Sequence, residues 1–522
     1  MDQLALIVGL LFSTVLAVGL GERLRLPYPV LMLLLAVALT FIPGFPQAHI
    51  EPELILPLFL PPLLFATAQR SSWAVFRIRW RTIVMFAVAL VVVTVALVAG
   101  AAWLLIPGIG IPAAIALGAM VAPPDPVAVE SVAGRVHMPR RLLTTLQSEG
   151  LFNDAAAIVI FQAAAAAAVT ETEVGSGLLL QFLVGAVIAA ALGYGMGWLT
   201  GMVTHFVHSL VARSAITLVM PFAVYILAEQ LHASGVVAVV VTALEIKRRA
   251  RPQDAGERIT RTAFWDVVEM LATGLAFGLM GLEMREVIQE EGTAVFGMAG
   301  MAAAVCAIVV AVRFGWMALA MWIGRRREGV LPPTSWKDVL ILSWCGMRGL
   351  ATLALALSMP ATLADGAEFA PRQEITVIAC AVLLVTLVLP GLTLPWLMKV
   401  LGAQATGAEE REAAVVLAGR AQEAAVAALQ DSDVLQDLPE DKVELVKARM
   451  KRLRAELLGA VPAGPRRKPR DEERELLAAV QTIALAAARQ EVLAARNEPD
   501  TDPEVADRVL RQLDLRTLVM PD

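Results

Sequence analysis

Residues 147–161 read Gln-Ser-Glu-Gly-Leu-Phe-Asn-Asp-Ala-Ala-Ala-Ile-Val-Ile-Phe, and the chain stays apolar to about residue 169. Glu149, Asn153 and Asp154 therefore stand at the head of a long hydrophobic run. An ionisable group inside a bilayer costs at least about 2.5–3.5 kcal/mol, so one that is kept there faces a partner, a polar cavity or an ion. Read as one helix over 142–169, Glu149 and Asn153 are four apart and share a face, with Asp154 about 100° round from Asn153. A carboxylate beside a carboxamide offers anionic and neutral oxygens, which suit hard cations. Such a carboxylate can hold a proton or a small cation in turn. The same two residues also read as a hydrogen-bonded pair between helices with a structural task only.

The sequence around this stretch is that of a chain crossing a membrane many times. Of 522 residues, 58% are hydrophobic and 17% charged, against about 45–50% and about 25% in an ordinary globular domain. The charges are unevenly placed: residues 1–400 hold 25 basic and 25 acidic side chains, and residues 401–522 hold 18 and 23. This divides the chain into an all-α polytopic membrane domain (1–400) and an acidic cytoplasmic helical tail (401–522). It excludes a secreted enzyme, a strongly basic nucleic-acid binder and a disordered scaffold. Cys306, Cys345 and Cys380 lie in apolar runs with no disulfide or zinc spacing. Residues 1–20 lack a basic leader and a small-residue cleavage site, and read as the first span.

Taking about 20 apolar residues per crossing, the chain offers thirteen spans, near 4–20, 28–43, 53–69, 82–106, 112–133, 142–169, 177–204, 213–229, 234–246, 262–281, 294–323, 337–359 and 373–398. With the N-terminus outside, the inside loops hold 21 Lys and Arg and the outside loops only Arg285 and Arg372, the bias that sets orientation. The C-terminus then lies in the cytoplasm of what reads as a bacterial inner membrane. Arg313 and Arg348 are the basic residues left inside spans. The fifth span contains Ala122-Pro123-Pro124-Asp125-Pro126, which no continuous helix accommodates. The twelfth contains Cys345-Gly346-Met347-Arg348-Gly349, a weaker interruption. Two interrupted spans in the two halves of a chain are the mark of inverted repeats with an ion site between crossing broken helices.

Four stretches now share a pattern: Leu58–Phe65 (Leu-Phe-Leu-Pro-Pro-Leu-Leu-Phe), Pro124-Asp125-Pro126-Val127-Ala128-Val129, Glu149-Gly-Leu-Phe-Asn153-Asp154, and Gly346-Met-Arg348-Gly-Leu-Ala-Thr-Leu-Ala-Leu-Ala356. In this order, over roughly residues 1–400, the chain resembles the monovalent cation–proton antiporters, in the bacterial sodium/proton exchanger branch with the Asn-Asp motif. The resemblance implies a homodimer in membrane lipid, with no enzyme activity, cofactor or nucleic acid. Its substrates would be protons and Na⁺, Li⁺ or K⁺, and its cellular task pH homeostasis. Asp154 would carry cation and proton alternately, Asn153 would support it, and Asp125 would complete the monovalent-cation site. Glu149 and Arg348 would form a structural ion pair. The Asn-Asp form implies electroneutral Na⁺/H⁺ exchange, with K⁺/H⁺ exchange at the same site as the alternative. A cation channel is the competing class, although no pore loop or repeated acidic ring is present.

Three positions depart from the family pattern: Ala66 where an acidic residue is common, Pro124 in place of Thr, and Gly150 in place of Ser. Each removes a potential oxygen ligand and leaves a looser site, better suited to K⁺. Thr67 follows Ala66 as a possible accessory ligand. Glu130, five residues past Asp125, is a possible accessory that would restore some negative charge. At about 140° round it reads rather as a carboxylate near the cytoplasmic mouth. Positions 124 and 150 count as accessory to the site as well. Arg313 reads as structural, snorkelling or binding a helix C-terminus. Asp266 and Glu269 read as acids at the start of a helix, complementing its dipole. The series Gly185, Gly193, Gly197, Gly201 permits close packing on an unspecified helix.

Overall fold

The computed structural model describes residues 2–24, 26–39, 52–70, 84–133, 138–150, 152–170, 178–249, 255–291, 294–324, 333–360, 371–403, 408–432, 471–496 and 503–518, with a few isolated positions between them. These residues are overwhelmingly helical. In chain order the helices are α1 (Asp2–Leu24), α2 (Tyr28–Leu39), α3 (Pro52–Arg70), α4 (Leu90–Leu105), α5 (Ile111–Val121), α6 (Pro126–Ala133), α7 (Arg140–Gly150), α8 (Asn153–Val169), α9 (Leu178–Phe206), α10 (Leu210–Gln230) and α11 (Gly235–Arg249). They continue with α12 (Ala255–Glu291), α13 (Ala294–Gly324), α14 (Trp336–Trp344), α15 (Leu350–Leu357), α16 (Arg372–Leu401), α17 (Ala408–Gln430), α18 (Asp471–Ala495) and α19 (Pro503–Leu518).

Eight helical stretches among the described residues are long and apolar enough to cross a membrane, and α2, α3 and α8 supply shorter apolar ones. Both expected interruptions are present. The proline run separates α5 from α6, and residues 345–349 separate α14 from α15. A third break is one the residue pattern did not announce. The stretch read as one helix over 142–169 is two, because α7 ends at Gly150 and α8 starts at Asn153 after Phe152, whose φ is −132°. Glu149 and Asn153 are therefore not on a common helix face. Asp266 and Glu269 also differ from expectation. They lie three turns into α12, which begins at Ala255, too far in for the dipole of its first turn.

Lipid offers no hydrophobic drive for helices to associate, so contact depends on small residues that let backbones approach. The glycine series of α9 does this against α11. A Cβ at Gly193 would lie 2.5 Å from the Ala238 carbonyl oxygen, and one at Gly197 would lie 2.7 Å from Glu245 Cβ. Beyond the membrane helices, α17, α18 and α19 enclose their own apolar core around Leu417, Ala484 and Leu513. The buried Arg489–Asp514 pair, at 3.1 Å, ties α18 to α19, and α19 packs against α12. The tail breaks expected at 431–439 and 461–469 fall almost wholly outside the described residues, as does the basic run at 466–470.

Candidate functional site

Three helix breaks meet at one place. At the first, the Asp125 carboxylate accepts from the backbone N–H of Val127 (2.8 Å) and of Ala128 (3.2 Å), and so caps the exposed start of α6. The Asp125 N–H donates to the Met347 carbonyl at 2.7 Å. That bond joins the first break to the one between α14 and α15. The third break opens at Asn153. Its Nδ2 donates to the Pro124 carbonyl at 2.8 Å, and its Oδ1 accepts from the Asp154 N–H at 2.8 Å. Asn153 thus ties the start of α8 to the proline break and leaves the Asp154 side chain to point elsewhere.

That side chain lines a cavity of about 30 Å³ shared with Asp125, Thr67, Pro123, Gly349 and Leu350, room for about one or two waters or a small ion. Asp154 is 6% exposed, and among the described residues no side chain or backbone donor reaches its carboxylate. Thr67 donates its hydroxyl proton to the Leu63 carbonyl at 3.0 Å, which leaves its oxygen lone pairs for the cavity. Asn153 contributes scaffolding, Asp154 and Asp125 contribute anionic oxygens, and Thr67 contributes a neutral one.

Other expected members lie elsewhere. Glu130 accepts from Gln147 Nε2 at 2.9 Å, bridging α6 and α7, and does not line the cavity. Pro124 contributes only its carbonyl, which Asn153 occupies. Gly150 packs on Pro126, so close that a Cβ would stand 2.6 Å from that ring. The space a serine would need at 150 is filled by proline, so its absence is a matter of packing.

The expected Glu149–Arg348 ion pair is not formed. Glu149 pairs with Arg313, whose Nη1 and Nη2 donate to Oε1 at 2.5 Å and Oε2 at 2.9 Å. The two residues are 1% and 3% exposed. Arg313 Nε donates to the Leu342 carbonyl at 3.0 Å, in the last turn of α14, so the helix-C-terminus reading of Arg313 holds. It reaches Glu149 across Gly346, where a Cβ would fall 2.3 Å from Arg313 Cδ. Arg348 has other work. Where α5 stops, its last carbonyls lose their helical partners. Arg348 Nε donates to the Val121 carbonyl at 2.6 Å, and Nη1 to the Gly346 carbonyl at 2.7 Å. One arginine neutralises the buried acid, and the other satisfies the broken backbone.

Comparison with known proteins adds to this geometry. Residues 9–400 match the family model described as sodium/hydrogen exchanger, transmembrane. An uncharacterized Na(+)/H(+) exchanger of Mycobacterium tuberculosis is 33% identical over 410 residues, 76% of this chain and 74% of that protein. A sodium, potassium, lithium and rubidium/H(+) antiporter of Bacillus subtilis is 31% identical, over 71% of this chain and 57% of its own. Among solved structures, the sodium proton antiporter MjNhaP1 of Methanocaldococcus jannaschii aligns with a TM-score of 0.58 at 20% identity, covering 77% of this chain and 100% of that one. At that identity the likeness is one of fold.

Proposed function

Because this chain belongs to the sodium/hydrogen exchanger family, a family of membrane transporters and not of enzymes, we propose that it exchanges one monovalent cation for one proton at Asp154. The observation that carries this reading is the small cavity that holds both Asp154 and Asp125, set where three helix breaks meet. Asp154 accepts no hydrogen bond from the described residues, so its charge is compensated only by what occupies the cavity. Protonated, or with a cation bound, it crosses the barrier. As a bare carboxylate it does not, because an uncompensated charge would have to be desolvated. One carboxylate carrying either H⁺ or M⁺ moves the same charge both ways, which makes the exchange electroneutral. The cation and the proton compete for one group. Acid therefore excludes the cation, alkali removes the returning proton, and the rate peaks between.

Na⁺ is the proposed substrate. K⁺ is the alternative, favoured by Ala66, which places no carboxylate beside Thr67 of the cavity, and by the relative named for sodium, potassium, lithium and rubidium. The wider architecture proposed with it has thirteen spans in inverted repeats, the N-terminus outside, a homodimer and alternating access. The tail of residues 401–522 is proposed to be cytoplasmic and regulatory. The deciding measurement uses acid-loaded proteoliposomes given Na⁺, Li⁺ or K⁺ from about pH 6 to about pH 9. The expected result is cation-dependent proton release with a bell-shaped pH profile. No release with any of the three would overturn the assignment.

Gly349 gives a second test of the same cavity. A Cβ there would lie 1.6 Å from Asp125 Oδ2 and 2.4 Å from its Cγ. Gly349→Ala must displace the carboxylate, and exchange should fall by about tenfold or more. Parental rates in that variant, with the protein folded, would mean that Asp125 does not serve the site.

A further inference from the structure

Two polar connections join the half-helix that leads to Asp154 with the half-helix that leads to the break at 345–349. The first is Glu149–Arg313, closing on Leu342. The second lies at the opposite ends of the same half-helices, α7 and α14. There Arg141 Nη1 and Nη2 donate to Asp338 Oδ2 at 2.9 Å and to Oδ1 at 2.8 Å, and Nη1 also donates to Thr334 Oγ1 at 2.6 Å. Asp338 is already fixed when the arginine meets it. It accepts from the Thr334 N–H (2.9 Å), the Thr334 hydroxyl (2.8 Å) and the Ser335 N–H (3.2 Å), and it closes a capping box with Ser335 at the start of α14. Asp338 is 2% exposed and the Arg141 side chain 48%.

An ion pair with one partner this exposed adds little stability, but a planar fork on a fixed carboxylate is geometrically demanding. Arg141 and Glu149 are eight residues apart on α7, about 12 Å along its axis. Glu149 on Arg313 and Gln147 on Glu130 hold one end of α7; Arg141 holds the other and resists a pivot about the first. We propose that Arg141 and Asp338 are a positioning pair for ion exchange. By holding the starts of α7 and α14 together, they set where the two chain breaks stand, and with them Asp154 and Asp125. This rests on the reading of that cavity as the ion site. A tilt of about 5° about Glu149 would swing the Arg141 end by about 1.4 Å over the roughly 16 Å of α7 and turn the direction in which the chain enters the break before Asn153, so that the oxygens of Asp154 and Asp125 no longer stand where the cation is best held.

The experiment compares the full-length protein with Arg141→Ala, Arg141→Lys and the exchanged pair Arg141→Asp/Asp338→Arg. Cation KM and Vmax are measured in proteoliposomes, and hydrogen–deuterium exchange in detergent. Arg141→Ala should raise the cation KM by about fivefold or more, with Vmax per folded molecule within about twofold of the parent. Arg141→Lys, which keeps the charge without the fork, should recover part of the KM, and the exchanged pair more. Deuterium uptake in Arg141→Ala should rise at residues 153–157 and 345–350, beyond the clamp itself. An unchanged KM, with or without a lower Vmax, would overturn the proposal. If the parent itself exchanges no cation, the ion-site reading fails instead. Deuterium uptake still decides the pinning: extra exchange confined to residues 138–145 and 333–340 would overturn it.

Discussion

Asp154→Asn is expected to abolish proton-coupled cation exchange, lowering the rate by at least about 100-fold, or about 2.7 kcal/mol. Asparagine has nearly the volume of aspartate and fits the same cavity, but its amide neither releases a proton nor supplies anionic charge. The carrier is then locked in a state that resembles the protonated one. Expression and thermal stability should stay close to the parent, because no described residue donates a hydrogen bond to the Asp154 carboxylate. Proton release from acid-loaded proteoliposomes reads the loss, and size-exclusion chromatography reads the retained fold. Normal coupled exchange by this variant would remove Asp154 from the mechanism.

Arg313→Ala should produce the largest stability loss of any single change near the site. It removes both donors to a glutamate that is 1% exposed. Breaking a buried pair by deleting one partner costs about 3–5 kcal/mol, because the remaining charge is left uncompensated. Arg348→Ala should cost less. It unpairs the Val121 and Gly346 carbonyls and strands no opposite charge; with water entering the space the side chain leaves, the cost is about 1 kcal/mol per carbonyl, about 2 kcal/mol in all. The double variant Arg313→Met/Glu149→Gln, which removes both charges, should regain much of the stability lost by Arg313→Ala. Thermal unfolding in detergent ranks the four proteins. An Arg313→Ala protein as stable as the parent would deny the pair its role, and an Arg348→Ala protein less stable than Arg313→Ala would reverse the assignment of partners.

Much of this was legible in the residues. Three prolines around Asp125 leave a helix no way through, so the first break could be placed from sequence alone. Glycines at 346 and 349 hinted at the second. The third, between Gly150 and Asn153, was hidden because the sequence there is as apolar as the helices on either side, and hydropathy does not register backbone direction. The arginine partners were misassigned for a related reason. Arg348 sits in the Met-Arg-Gly motif, and the resemblance drew the pair to it. Arg313 carries no motif, yet it was one of only two basic residues inside the spans. The missing fact was a demand from the backbone: a helix broken at Val121 exposes carbonyls that need donors, and that claim on Arg348 left Glu149 to Arg313. Thr67 follows Ala66 in the sequence, and the cavity includes it. Glu130 carries a charge the site could use, but its bond to Gln147 turns it away.

The contact between Gly150 and Pro126 bears on how such a sequence could change over time. Pro126 and Gly150 stand 24 positions apart in the chain, yet the proline ring fills the volume that any side chain at 150 would need. Gly150→Ser would bring in the hydroxyl of the pattern this stretch resembles and would be a collision, since a Cβ there meets the proline ring at 2.6–3.2 Å. The reverse step, from serine to glycine, is open at any time. Once taken, and once α7 has settled against the ring, it works as a ratchet. A hydroxyl at 150 fits only after the backbone at the proline break has moved, so the order of two such substitutions, and not only their sum, decides whether the intermediate folds.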